Sequence, residues 1–169
     1  RARRALRRLA AGGAMTPPPQ NPAYLHANAL VLGECGLLLR GPAGAGKSTL
    51  TLQLLADWRA RGAFAALVGD DRVGLEARHG RLIASPHPSI RGMIEARGIG
   101  VLRVDFEPAC VLRAAVDLLA IDETPERYPD AEESRIELSG VTLPRMFENA
   151  ARAGAVTRIG SYIQTLAIN

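Results

Sequence analysis

The segment Gly41-Pro42-Ala43-Gly44-Ala45-Gly46-Lys47-Ser48 sets three glycines, a lysine and a hydroxyl at the spacing of a phosphate-cradling loop. A chain carrying it is constrained to fold locally as strand, loop and helix. Glycines let backbone N–H groups close around phosphate oxygens, because no Cβ blocks the approach. In such a loop Lys47 reaches the β- and γ-phosphates and the Ser48 hydroxyl sits on Mg²⁺. The flanks agree with the motif. Leu37-Leu38-Leu39 is a short apolar run ending at the loop, as a buried strand does. Leu50, Leu54, Leu55 and Trp58 recur at helical spacing over 48–61, and Gly62 ends the pattern. The helix N-terminus then adds its dipole to the phosphate site. Lys47 is also the only lysine in a chain whose other strong bases are all arginine, so it is not filler. The motif predicts that the chain binds a nucleoside triphosphate.

The 169 residues suit one domain with a sizeable core, and no apolar run approaches the length of a membrane span. Cys35 and Cys110 make neither a metal-ligand pattern nor a disulfide framework, and read as buried or turn thiols in a reducing cytosol. The net charge of +4 is carried by the five arginines that precede Met15; without them the balance falls to −1. Residues 1–22 read as a basic, proline-rich, disordered arm and linker, and Met15 as a plausible natural start. The arm alone could touch nucleic acid or an anionic membrane. The near-neutral body with few aromatics argues against both partners and for a cytoplasmic protein.

The folded unit is expected over 23–169 as a single α/β domain. A hairpin around Gly33-Glu34-Cys35-Gly36 feeds the loop, and 64–68 is an apolar run stopping at Gly69-Asp70-Asp71. Segments 73–76 and 81–84 flank a His79-Gly80 turn, and 101–104 and 111–119 read as further strands. Short edge strands are expected at 135–138 and 141–143, and a helix over about 148–166. Many strands and few helices predict a mixed sheet rather than a doubly wound one.

A nucleotide site needs a carboxylate for the metal and, for phosphoryl transfer, a group that orients or deprotonates the acceptor. Asp70 and Asp71 fall at a strand end, where such carboxylates sit. Neighbours on an extended strand point to opposite faces, so only irregular backbone there brings both to one site. Glu95 and Arg97 share one face of an extended segment, the acid suited to metal and the base to phosphate, or else form a simple ion pair. His26, fifteen residues before the loop, is a further candidate.

Taken together, these residues resemble the catalytic domain of HPr kinase/phosphorylase, the bacterial serine kinase of the phosphocarrier HPr. The resemblance runs from about Tyr24 to Arg145. It rests on His26-Ala27, the phosphate loop, Leu67-Val68-Gly69-Asp70-Asp71-Arg72-Val73, and above all Gly92-Met93-Ile94-Glu95-Ala96-Arg97-Gly98-Ile99-Gly100. The last is similar to the family signature Gly-x-x-Glu-x-Arg-Gly-x-Gly. The resemblance implies a P-loop kinase with a mixed sheet, like phosphoenolpyruvate carboxykinase, assembled as a homohexamer and lacking a separate N-terminal domain, as in the short alphaproteobacterial form. It implies ATP and Mg²⁺, with nucleotide contacts from Gly41, Pro42, Ala43, Gly44, Ala45, Gly46, Lys47, Ser48, Thr49 and Arg97. The metal set is Ser48, Asp70 and Glu95; the catalytic set is His26, Lys47, Asp70 and Asp71, one aspartate being the base. The acceptor is a serine of HPr or a paralogue, with phosphorolytic removal as a second activity. Thr49 stands where the family usually has an acid, and its Pro-Gly-Arg-Asn-like C-terminal segment is replaced here; Arg127 is the nearest candidate for a lost contact. The competing readings are a small-molecule kinase or generic NTPase, and a nucleotide-sensing module that transfers nothing.

Overall fold

Leucines that flank the glycine loop build the centre of the molecule. The computed structural model describes residues 24–167, so the arm and linker expected over 1–22 lie outside the described residues. In chain order the elements are β1 (Tyr24–Leu25), β2 (Ala27–Leu32), β3 (Cys35–Arg40), α1 (Lys47–Ala60), β4 (Ala65–Gly69), β5 (Val73–Arg78) and β6 (Arg81–Pro86). One 3-10 turn, Pro88–Ile90, leads to β7 (Met93–Ala96), β8 (Gly100–Arg103), β9 (Cys110–Leu118), β10 (Arg135–Leu138), β11 (Val141–Glu148) and α2 (Ala155–Ala167).

The sheet is mixed, as expected, and its strands run in the order β1-β5-β6-β9-β3-β2-β4. The hairpin β2–β3 pairs antiparallel around the Gly33 turn, and β3 then lies parallel to β9. Alternation along β3 splits its leucines between two cores. Leu37 and Leu39 face α1 and α2, together with Leu50, Leu54, Ile159 and Ile163. Leu38 faces the other way, into a core closed by Val73, Leu82 and Leu143. Burial on both faces accounts for β3 reading as a continuous apolar run. No described helix is long and apolar enough to cross a membrane.

Two expectations need correction. The strand expected to end at Leu143 runs through Pro144 to Glu148 and changes partner on the way. Its first half pairs antiparallel with β10, and its second half, from Arg145, parallel with β9. The helix expected from Glu148 starts only at Ala155. Glu148 is instead the last strand residue, with its carboxylate gripped by the Arg158 guanidinium at 2.7 and 2.9 Å. Asn149 then ties down the loop before α2, its amide donating to the carbonyls of Ala120, Ile121 and Glu123. Side-chain capture of the backbone here outweighs the helix propensity of the alanines.

Gly36 marks the tightest approach in the central pair. A bulge in β9 shifts the register from Gly36↔Leu112 to Leu37↔Ala114, and a Cβ at Gly36 would lie 2.2 Å from the Val111 carbonyl oxygen. Neither strand can recede, because both are buried. Gly36→Ala should therefore lower stability by about 1–3 kcal/mol, the usual cost of overpacking. Urea denaturation followed by circular dichroism checks this; an unchanged midpoint would count against the close approach.

Candidate active site

Three elements deliver the site. The loop after β3 ends in Gly46, whose left-handed φ of 90° starts α1 with no side-chain cap. No acidic residue occupies the first turn of that helix, so its free N–H groups and positive dipole end stay available to an anion. Gly41 must also lack a side chain, since a Cβ there would lie 2.7 Å from the Leu118 carbonyl oxygen. Lys47, the first helical residue, is only 6% exposed. Its ammonium donates to the carbonyls of Gly41 at 3.0 Å and Pro42 at 3.2 Å. Burial pushes the Lys47 ammonium below its ordinary value, against the pull of Asp71 and Asp70.

His26, in the bend between β1 and β2, lies 3.1 Å through Nε2 from the Lys47 Nζ. An ammonium can only donate, so Nε2 must accept and the imidazole proton belongs on Nδ1. That nitrogen is 3.4 Å from Asp71 Oδ1. A chain from Lys47 through His26 to Asp71 results, and it lies at the surface, with His26 53% and Asp71 49% exposed.

The turn after β4 separates the two aspartates. Asp70 is 5% exposed and accepts from Ser48 Oγ on one oxygen and the Glu95 N–H on the other, both at 2.9 Å. Burial raises the Asp70 carboxyl above the usual carboxylate range, with the Glu95 and Ser48 hydrogen bonds opposing and Asp71 adding to the rise. Asp71 takes a left-handed φ of 58°, the irregular backbone needed to turn both carboxylates to one place. Asn28 holds that turn. Its Oδ1 accepts the Asp71 N–H, and its amide donates to Thr51 in α1. Sequence reading missed Asn28, although a polar residue within Ala27-Asn28-Ala29-Leu30 was a signal.

In β7, Ile94 and Ala96 are buried while Glu95 and Arg97 face outward. Both line a cleft of about 230 Å³ with His26, Ala43, Gly44, Gly46, Lys47, Ser48, Thr49 and Asp71. No ion pair joins Glu95 to Arg97 among the described residues, so the plain ion-pair reading fails. Arg127 lies away from this cleft, its guanidinium over the Tyr128 ring. Among the described residues no three His, Cys, Asp or Glu side chains form a metal cage by themselves. The Ser48 hydroxyl and the Asp70 and Glu95 carboxylates are nonetheless hard oxygen donors. Mg²⁺ bound mainly through substrate phosphates and water needs only one or two such ligands.

Residues 20–108 match the family model for the HPr Serine kinase C-terminal domain. An HPr kinase/phosphorylase from Mycoplasma mycoides is 33% identical over 79 residues, 47% of this chain and 23% of that protein. One from Neisseria meningitidis is 29% identical over 128 residues, 69% of this chain and 37% of that protein. The chain thus spans about a quarter to somewhat over a third of the length of these relatives. The solved structure of the Hpr(Ser) kinase/phosphatase from Coxiella burnetii is similar with a TM-score of 0.65 at 25% identity, covering 86% of this chain and 94% of that one.

The raised Asp70 carboxyl has a consequence for stability. A group that ionises less readily when folded contributes stability at low pH and loses it as pH rises through its folded value. Asp70→Asn keeps both contacts, its oxygen accepting from Glu95 and its amide donating to Ser48. Without metal or nucleotide, the substitution should raise the melting temperature by a few degrees at pH 7 and give no gain near pH 4. A gain of equal size at both pH values would show that the buried charge is not its source.

Proposed function

The chain belongs to the HPr Serine kinase C-terminal domain family, and from that premise we propose that it is an ATP- and Mg²⁺-dependent kinase acting on a serine of an HPr-type phosphocarrier. One observation carries the reading. Lys47, Ser48, His26 and both aspartates converge at a single polar cleft too small for more than phosphates and an incoming hydroxyl.

In this reading the triphosphate lies in the loop, where the first-turn N–H groups of α1 and the Gly44 and Gly46 backbone cradle it. Lys47 leaves its own loop carbonyls for phosphate oxygens. Ser48 and Asp70 would hold Mg²⁺ with Glu95 beside them, and the ion would neutralise phosphate charge. Asp70 has both oxygens engaged, which suits holding rather than proton transfer. Asp71 is half exposed and faces the cleft, so it accepts the serine proton. The serine oxygen attacks the γ-phosphorus while the bond to the ADP oxygen breaks. His26 orients Asp71 and stands between it and Lys47. Arg97 supports the transferring phosphoryl group. Positioning and charge neutralisation supply most of the rate, since little covalent chemistry is asked of the protein.

The test is mass spectrometry of purified HPr-type carriers incubated with the chain, ATP and Mg²⁺. Wild type should add one phosphoryl group to serine, and inorganic phosphate should then be tried for reversal. Lys47→Ala and Asp71→Asn should each slow transfer by about 100-fold or more. Asp71→Asn should still bind ATP. Transfer that survives Asp71→Asn but not Asp70→Asn would reverse the two roles. ATP turnover without any phosphorylated carrier would favour an NTPase or small-molecule kinase.

A further inference from the structure

The second large cavity of the molecule lies beyond the other side of the phosphate loop, and the reading above leaves it unused. It measures about 680 Å³, within the roughly 300–1,000 Å³ of small-molecule sites. The catalytic cleft, at about 230 Å³, falls below that range. We propose that this cavity takes the nucleoside half of the ATP whose phosphates occupy the loop; the inference therefore rests on the nucleotide-binding reading of Gly41–Ser48.

Direction is the first argument. His26, Asp71, Glu95 and Arg97 gather at one side of the loop, from β1–β2, β4 and β7, and define its reacting end. A triphosphate with its γ-phosphate there must point its sugar and base the opposite way. On that opposite side stand the ends of β9 and β11, which follow β3 in the sheet. Contact is close: a Cβ at Gly41 would meet Leu118, and one at Gly46 would lie 3.1 Å from Ala150. Leu119 continues from Leu118 into the cavity wall, and Asn149 and Ala150 follow directly on Glu148, which also lines it.

Chemistry is the second argument. Leu119, Met146 and Phe147 supply an apolar floor suited to the face of a base. Arg127 and Arg152 stand in the same lining, and neither is in an ion pair with a described residue. They offer positive charge to the ribose-phosphate end. Glu148 would repel phosphate if free, but Arg158 neutralises it. The wall opposite is held in place, because the Asn149 amide bonds three carbonyls of the 120–123 segment. All of these residues follow the end of the family match at 108, so they belong to the part of the chain that the match does not describe.

The chain has three methionines, Met15, Met93 and Met146, so methyl-labelled methionine gives a simple spectrum in which Met146 reports on the cavity. Magnesium-ATP should shift the Met146 signal, whereas magnesium tripolyphosphate at saturation should leave it in place. Thr124→Trp, an exposed position on the cavity wall, should weaken ATP binding by about tenfold or more by calorimetry and leave tripolyphosphate binding unchanged. A Met146 signal that saturating ATP does not move would overturn the proposal. So would a Thr124→Trp substitution that weakens both ligands alike or neither. If neither ATP nor tripolyphosphate binds, the reading of the loop itself falls, and this inference with it.

Discussion

Everything at the site depends on a lysine ammonium buried without a carboxylate of its own. Removing an ammonium from water is costly unless hydrogen bonds and opposite charge compensate. Lys47 has two carbonyls of its own loop and one imidazole nitrogen. It also stands at the positive end of α1, whose first turn carries no acid. Asp70, the nearest buried carboxylate by this account, spends its oxygens on Ser48 and the Glu95 N–H. The result is a local excess of positive potential that a phosphate chain would satisfy at once. The loop is stable as a fold and incomplete as an electrostatic arrangement.

That arrangement is possible because the strands fix backbone positions to within a hydrogen bond. β3 runs buried on both faces and hands the chain to the loop at Arg40, where a fork of two bonds to Asp117 at 2.7 and 2.6 Å joins it to β9. Arg145 approaches the same carboxylate from β11 at 3.5 Å. Three parallel strand ends are thereby tied together just below the loop. On the other flank Asn28 bridges β2, α1 and the turn at Asp71. Rigid strands on both sides let two glycines pass within contact distance of Leu118 and Ala150 without a clash.

The strongest local signals were legible in the residues themselves. The loop, its flanking leucines, the hairpin turns and the Asp70-Asp71 strand end all act through neighbours in sequence, so pattern alone reveals them. The irregular backbone required at Asp71 is a steric deduction, and its φ of 58° bears it out. What escaped depends on distant partners. Glu148 reads as the start of an alanine-rich helix until Arg158 is seen to hold it in a strand. Pro144 reads as a stop, yet it falls where β11 passes from β10 to β9 and a change of partner tolerates a missing donor. Asn28 was hidden because one buried amide among apolar residues announces a hydrogen bond without naming its partners.

The same contrast separates the two halves of the molecule. Residues up to 108 build the polar cleft, where phosphate chemistry dictates residue type at nearly every position: a glycine for approach, a lysine for charge, a carboxylate for metal or proton. Such positions tolerate little change, and there the family likeness is written. Beyond 108 the chain completes the sheet with β9 and β11 and encloses an apolar hollow, a task that many sequences perform. A hydrophobic wall needs volume and shape rather than particular residues, so Leu119, Met146 and Phe147 leave no motif. Loss of a recognisable C-terminal signature is therefore compatible with retention of a working nucleotide site. The part of a ligand that reacts constrains sequence far more tightly than the part that is merely held.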